Sequence, residues 1–248
     1  MANLSEREGI SVWRQIGDAL LRDIENGTFR AESRLPPSGE LAQRFGVNRH
    51  TVLRSISHLQ AEGVVRVERG RGTYVVVNRL EYRLGPRRWF EQNLLDSGKA
   101  PTRTVLTVTE MEAEAPIATA LNLRKGAPVV FVKTMGDADG FPVNFGCHYF
   151  PAKRLAGIGE AFRHFGDKPT AKLSFAEIFR SLGVSGYRRR TIRIRSRLPS
   201  QEESWRLRLP QSEHVLETEV TSVDADERPV AHALTCFCSS RVELIMDV

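Results

Sequence analysis

Cysteine is scarce: there are three in 248 residues, Cys147, Cys236 and Cys238, an odd number and all late in the chain. That count argues against a disulfide scaffold and fits a reducing compartment. Cys236 and Cys238 lie two apart in a strand-like run, so they share a face and read as small buried hydrophobes. As a metal pair they lack further ligands. Long apolar runs are also missing. No run of 18 apolar residues occurs, so no segment reads as a membrane span, and no basic start leads into an apolar export signal. A cytoplasmic chain without a membrane partner is expected. There is no Ser-His-Asp order, no metal-ligand cluster and no plausible carboxylate pair, so we expect neither an enzyme nor a cofactor or metal.

Lysine is absent from the first 77 residues, where 11 Arg face 9 acidic residues, a net of +2 (11 − 9). Six of those Arg fall within Arg44–Arg71 against Glu62 and Glu68 alone, a local +4 (6 − 2). The whole chain carries only +6. Positive charge is therefore focused on one short segment, as a nucleic-acid footprint requires.

That segment has an order of elements to match. Trp13, Ile16, Leu20 and Ile24 repeat at helical spacing over Val12–Glu25, between Ser11 as an N-cap and Gly27 as a stop. A second helix is expected over Gly39–Phe45, with Ser38 as its cap. Gly46-Val47-Asn48 turns the chain into a third helix, Arg49–Glu62, which Gly63 ends. Val64–Arg69 and Thr73–Val77 alternate around Gly70-Arg71-Gly72 and make a hairpin, or wing. The set reads as a winged helix-turn-helix over residues 1–77, whose third helix enters a DNA major groove.

Asn48, as N-cap, leaves backbone N–H groups facing a phosphate. Arg49, His50 and Thr51 sit in the first turn, where Arg49 can bond a guanine bidentately. Arg54 lies one turn on, toward the DNA backbone. Arg34, Arg69, Arg71 and Gly72 complete the expected DNA-binding set at the wing. The bland alternative is a solvated basic helix with a surface hairpin.

Residues 78–86 are polar and end in proline, and read as a linker to a second domain at 87–248. There the pattern becomes α+β around an antiparallel sheet. Helices are expected at Arg88–Ser97, Pro116–Leu121, Ser174–Leu182 and Gln201–Leu207. Strands are expected at Arg103–Thr109, Pro128–Met135, Val143–Phe150, Arg190–Leu198, Val215–Val223 and Pro229–Phe237, with turns at residues 137–140 and 224–227.

Arg193, Arg195 and Arg197 alternate, so a strand puts all three on one face, where they repel unless an anion, acidic partners or water intervenes. With Arg87 and Arg88 ahead of a helix, they form a candidate anion site. Alternatively the Arg face is solvated or paired with Glu202, Glu203 or Glu217. His148 and His232 are candidate pocket residues or structural histidines.

The first segment resembles the winged helix of the GntR (gluconate-repressor) family of bacterial transcription regulators over about residues 10–77. The carrying residues are Gln15-Ile16, Leu35-Pro36, Glu40-Leu41-Ala42, the run Val47–Val52, Leu59, Glu62-Gly63 and Gly70-Arg71-Gly72-Thr73. Two positions that carry DNA-contacting arginines in the family differ: Ser38-Gly39 replaces Glu-Arg, and Leu53 replaces Arg.

The second half resembles the effector domain of the HutC (histidine-utilisation repressor) branch, a UTRA domain similar in fold to chorismate lyase. It does so through Ala118–Leu123, Gly126, Val129-Val130, Gly140 and Pro142-Val143, and Tyr149-Phe150-Pro151. Within that branch it is most similar to phosphonate-utilisation regulators, on Phe90–Leu95, Gly98, Pro101-Thr102, His148-Tyr149-Phe150 and Arg193-Ile194 with Arg197. The resemblance implies a homodimeric DNA-binding regulator on an inverted-repeat operator of double-stranded DNA. It implies a repressor released by a small anionic effector, a phosphonate or a phosphate-bearing metabolite. The alternative is a constitutive regulator with a vestigial pocket. The implied effector residues are Arg87, Arg88, Trp89, Phe90, His148, Tyr149, Arg193, Arg195, Arg197 and His232. Gly146 and Ala231 stand where the branch carries acidic residues, which implies an effector read differently or a more open pocket.

Overall fold

The computed structural model describes residues 11–30, 33–61, 63–68, 70–76, 79–166, 169–170, 173–209, 211–239 and 241–247. The chain divides into two compact units, Met1–Arg79 and Leu80–Val248.

In the first unit, α1 (Val12–Glu25), α2 (Ser38–Phe45) and α3 (Arg49–Ala61) precede the hairpin β1 (Val65–Glu68) and β2 (Gly72–Val75). The apolar stripe of each helix meets the others in one core, with Ile16, Leu20, Leu41, Phe45, Val52 and Leu59 all buried. Val65 and Val75 close that core from the hairpin, where they pair directly. Ser11 precedes α1 but makes no capping bond, and α2 begins at Ser38 with Pro37 ahead of it. The wing strands are shorter than expected.

The second unit starts with β3 (Leu80–Leu84), inside the stretch expected to be linker. Leu80, Tyr82 and Leu84 alternate inward and are half-buried or buried, and β3 pairs in parallel with β10 (Val242–Met246) near the other end of the chain. So distant a partner leaves no local signal. Next come α4 (Phe90–Asp96), β4 (Pro101–Glu112), α5 (Ala115–Ala120), β5 (Pro128–Ala138), β6 (Phe141–Pro151) and α6 (Ile158–Arg163). They are followed by α7 (Phe175–Ser181), β7 (Arg188–Arg197), α8 (Gln201–Leu207), β8 (Val215–Val223) and β9 (Pro229–Cys238). Six strands form one antiparallel sheet in the order β4-β5-β6-β9-β8-β7.

The hairpin between β5 and β6 turns on Asp139 and Gly140, both at positive φ (53° and 82°), which matches the right-handed twist of its strands. Alternation gives the sheet two unlike faces. One carries Asn144, His148 and Phe150, and α6 and α7 pack there with Phe162 and Phe179 against Phe150. We call it the α7 face. The other carries Phe145, Cys147, Cys236 and Cys238, with Leu207 of α8 against it. Cys236 and Cys238 are buried on that face, as their spacing predicts.

Candidate functional site

In the first unit, Gly46, left-handed at φ 65°, ends α2. Asn48 then caps α3: its Oδ1 accepts from the Thr51 backbone N–H and from Thr51 Oγ1, each at 2.9 Å. Arg49 and His50 stand exposed in the first turn. Arg49 Nε donates to Ser38 Oγ at 2.9 Å, so a serine at the start of α2 steadies an arginine of α3. Arg54 lies over the Trp13 ring at 4.8 Å, anchored on α1 instead of reaching out freely. At the wing tip the Arg71 side chain is 80% exposed. Arg34 lies beside the wing, bridged to Tyr74, with its guanidinium against Gly72, whose φ of 125° favours glycine there. Arg69 lies outside the described residues.

In the second unit a cavity of about 80 Å³ opens on the α7 face. Its floor is Asn144 and His148 of β6 with Ala231 and Ala233 of β9. Its walls are Tyr82 and Leu84 of β3, Trp89 and Phe90 at the start of α4, and Phe175 and Tyr187. Trp89 stacks on Tyr187 at 4.2 Å and 4°, and the Arg189 guanidinium lies over Trp89 at 4.9 Å. Burial pushes the Tyr187 hydroxyl up to about 12. Arg103 sits over the Phe90 and Phe175 rings at 4.4 and 4.8 Å, and its Nε donates to Glu91 Oε1 at 2.6 Å.

His148 is buried, its Nε2 3.0 Å from Thr134 Oγ1. Burial, helped by the Arg103 charge, lowers its pKa to about 3, so the ring is neutral. Gly146 does not open the pocket: a Cβ there would lie 2.6 Å from His148 Nε2, so the histidine fills the room the glycine leaves. Gly136 does the same for Phe90 and Asn144, each 2.7 Å from where its Cβ would be.

Of the expected effector residues, Trp89, Phe90 and His148 line this cavity. The remaining expected effector residues do not. Arg87 and Arg88 are exposed, and Arg88 pairs with Asp96. Tyr149 and His232 pair across strands on the opposite face, where His232 Nδ1 meets Thr221 Oγ1 at 3.1 Å.

Arg193, Arg195 and Arg197 share one face, but it is the α8 face. Arg193 meets Glu219 at 3.3 Å, Arg195 meets Glu219 at 2.8 Å, and Arg197 meets Glu203 at 2.8 Å and Glu217 at 2.6 Å. Carboxylates already neutralise the repulsion that suggested an anion. Burial alone would raise the Glu203 carboxyl, but hydrogen bonds from Arg197, Cys236 and the Ser200 backbone N–H together hold it at about 2.

Arg103, Arg189, Glu91 and Asn144 are the polar lining that sequence reasoning missed. Arg189 reaches the cavity only through the β-bulge between Arg189 and Thr191. Arg189 pairs with Ser222, on the α7 face, while Thr191 pairs with Thr221, on the other. In an unbroken ladder, with Arg190 paired, alternation would put Arg189 with Arg193 and Arg195. Among the described residues, no group of three or more His, Cys, Asp or Glu could hold a metal.

Comparison with known proteins accounts for both units. Residues 13–75 match the model of the gntR family of bacterial regulatory proteins, and residues 96–243 match the UTRA domain. The chain is 34% identical to an uncharacterized HTH-type transcriptional regulator of Rhizobium meliloti (strain 1021), over 100% of this chain and 99% of that protein. It is 28% identical to the probable transcriptional regulator PhnF of Escherichia coli (strain K12), over 88% of each chain. Among solved structures it is similar to PhnF from Mycobacterium smegmatis, with a TM-score of 0.64 at 23% identity, covering 94% of this chain and 98% of that one.

Proposed function

The chain belongs to the gntR family of bacterial regulatory proteins and carries a UTRA domain, and from that premise we propose that it represses transcription as a homodimer released from its operator by a small anionic effector. It is a transcription regulator and not an enzyme. The proposed DNA-reading set is Arg49 and His50 on α3, steadied by Asn48 and Ser38, with Arg71 of the wing on the adjacent backbone. Two copies would read an inverted repeat in the cytoplasm, each supplying one winged helix.

The observation that carries the reading is the cavity on the α7 face. It is walled by β3 and α4, the first elements after the DNA-binding unit ends at Arg79. A ligand gripped there touches the elements with which the second unit begins. It shifts DNA occupancy only by its difference in affinity between the two states, so a tenfold release needs about 1.4 kcal/mol of coupling.

The test is a selection of bound duplexes from random sequence, followed by titration at physiological salt with and without small anions. A selected inverted repeat should bind far more tightly than random duplex, and a ligand of the cavity should weaken that binding. Equal affinity for every duplex would sink the operator reading. Sedimentation that finds only monomer on the duplex would sink the dimer.

A further inference from the structure

The cavity contains polar groups that the protein itself leaves unsatisfied, and their chemistry specifies a ligand. Asn144 is 3% exposed, its amide lines the cavity, and it has no hydrogen-bond partner among the described residues. An amide at a cavity wall offers a donor and an acceptor to a bound polar group. Glu91 gives one oxygen to Arg103, and its Oε2 has no partner among the described residues. Arg189 spends only Nη1, on the Gly85 carbonyl at 3.1 Å, and faces no carboxylate among the described residues. Because Glu91 matches Arg103, Arg189 is the unmatched charge of the cavity.

Arg103 on β4 and Arg189 on β7, from the two edge strands of the sheet, both line the cavity. Aromatic faces line the space between, which suits an aliphatic spacer or an ammonium. A volume of about 80 Å³ has room for roughly five to eight water-sized groups.

We propose that this cavity takes a compact aminoalkyl anion, whose phosphonate or carboxylate binds Arg189 while its ammonium meets Glu91 Oε2 and its polar atoms satisfy Asn144. The inference rests on the reading of this cavity as the effector site. A sugar phosphate is too large for it, and a simple inorganic anion leaves Glu91 and Asn144 unmet.

The test is calorimetric titration of the full chain with 2-aminoethylphosphonate, 3-aminopropanoate, ethylphosphonate, propanoate, 2-hydroxyethylphosphonate and glucosamine 6-phosphate. Each amino compound should bind at least about tenfold more tightly than its amine-free partner, the strength of a charge-assisted contact in a partly buried site. Whichever of the two amino compounds binds more tightly identifies the head group. Glu91→Gln should bring each pair of affinities together, and Arg189→Gln should weaken every anion. Ala233→Trp fills the cavity floor and should abolish binding.

The outcomes separate the two readings. If a ligand binds Ala233→Trp as well as it binds the wild type, the effector site lies elsewhere and both readings fall. If Ala233→Trp abolishes binding but ethylphosphonate or 2-hydroxyethylphosphonate equals the amino compound, only the ligand class falls. Glucosamine 6-phosphate as the tightest ligand would overturn the class as well, and a panel with no binding overturns both readings. Should Ala233→Trp fail to fold, the Glu91→Gln comparison carries the decision alone.

Discussion

Glycine has opposite meanings at two places in this chain. Gly146 has His148 Nε2 at 2.6 Å from where a Cβ would be, so Gly146→Ala must displace the histidine and break its contact with Thr134. We expect a loss of about 1–3 kcal/mol in urea unfolding. Gly39 lies in α2 with nothing within 4 Å of a Cβ and without a positive φ. Gly39→Ala should therefore gain about 0.5–1 kcal/mol, since alanine loses less backbone entropy in a helix.

His148 carries a pH signature of its own. Its folded pKa of about 3 lies below the usual histidine value of 6.5, so the unfolded chain takes up the proton first. The stability it contributes is present above pH 6.5 and is lost as pH falls toward 3. Unfolding free energy should drop by up to about 1.4 kcal/mol per pH unit in that window from this group. His148→Gln should flatten that slope, as read from urea midpoints across the range.

The arginines of β7 show how an element can mislead. Three guanidiniums on one face satisfy the electrostatic condition for an anion site, and they satisfy equally the condition for a ladder of ion pairs. Only the position of Glu217, Glu219 and Glu203 decides between them. Arg197 is the member that matters most, because Glu203 and Glu217 are both nearly buried around it. Arg197→Met leaves the buried Glu203 without a cation and Glu217 with Arg195 alone, at 3.7 Å, and should cost about 3 kcal/mol. Arg193, whose side chain is 59% exposed, should cost under about 1 kcal/mol when changed to Met. Neither substitution should alter effector affinity, since both side chains face away from the cavity; a large change in the calorimetric titration would return the Arg face to the effector site.

The molecule as a whole joins a DNA-binding domain to a UTRA domain, and contributions to DNA reading can be separated by salt. Arg49→Ala should relax the base preference of selected duplexes, because a bidentate base contact carries sequence information. Arg71→Ala should weaken all duplexes alike and reduce the slope of log affinity against log salt by about 1, because it removes a phosphate contact. Titrations of both variants on selected and random duplexes at several salt concentrations distinguish these outcomes.

Much of this was legible in the sequence because the information is local. Helical spacing from Trp13 to Ile24, a cap at Asn48 and glycines around Arg71 each specify a short element from its own residues. In the second half, period-two alternation located the six strands of the main sheet, and the spacing of Cys236 and Cys238 marked a shared buried face. By itself, then, the sequence determined the winged helix, the α+β class and the family.

Tertiary structure alone decided which face of the sheet holds the cavity. Alternation says that Arg193, Arg195 and Arg197 point the same way, but not whether that way is toward α7 or α8. A one-residue bulge at Arg190 sends Arg189 to the face its odd-numbered neighbours avoid. The cavity wall likewise depends on β3 pairing with β10, which follows it by some 160 residues. These are long-range pairings, set by loop closure and side-chain packing across the whole chain, and no window of local sequence contains them.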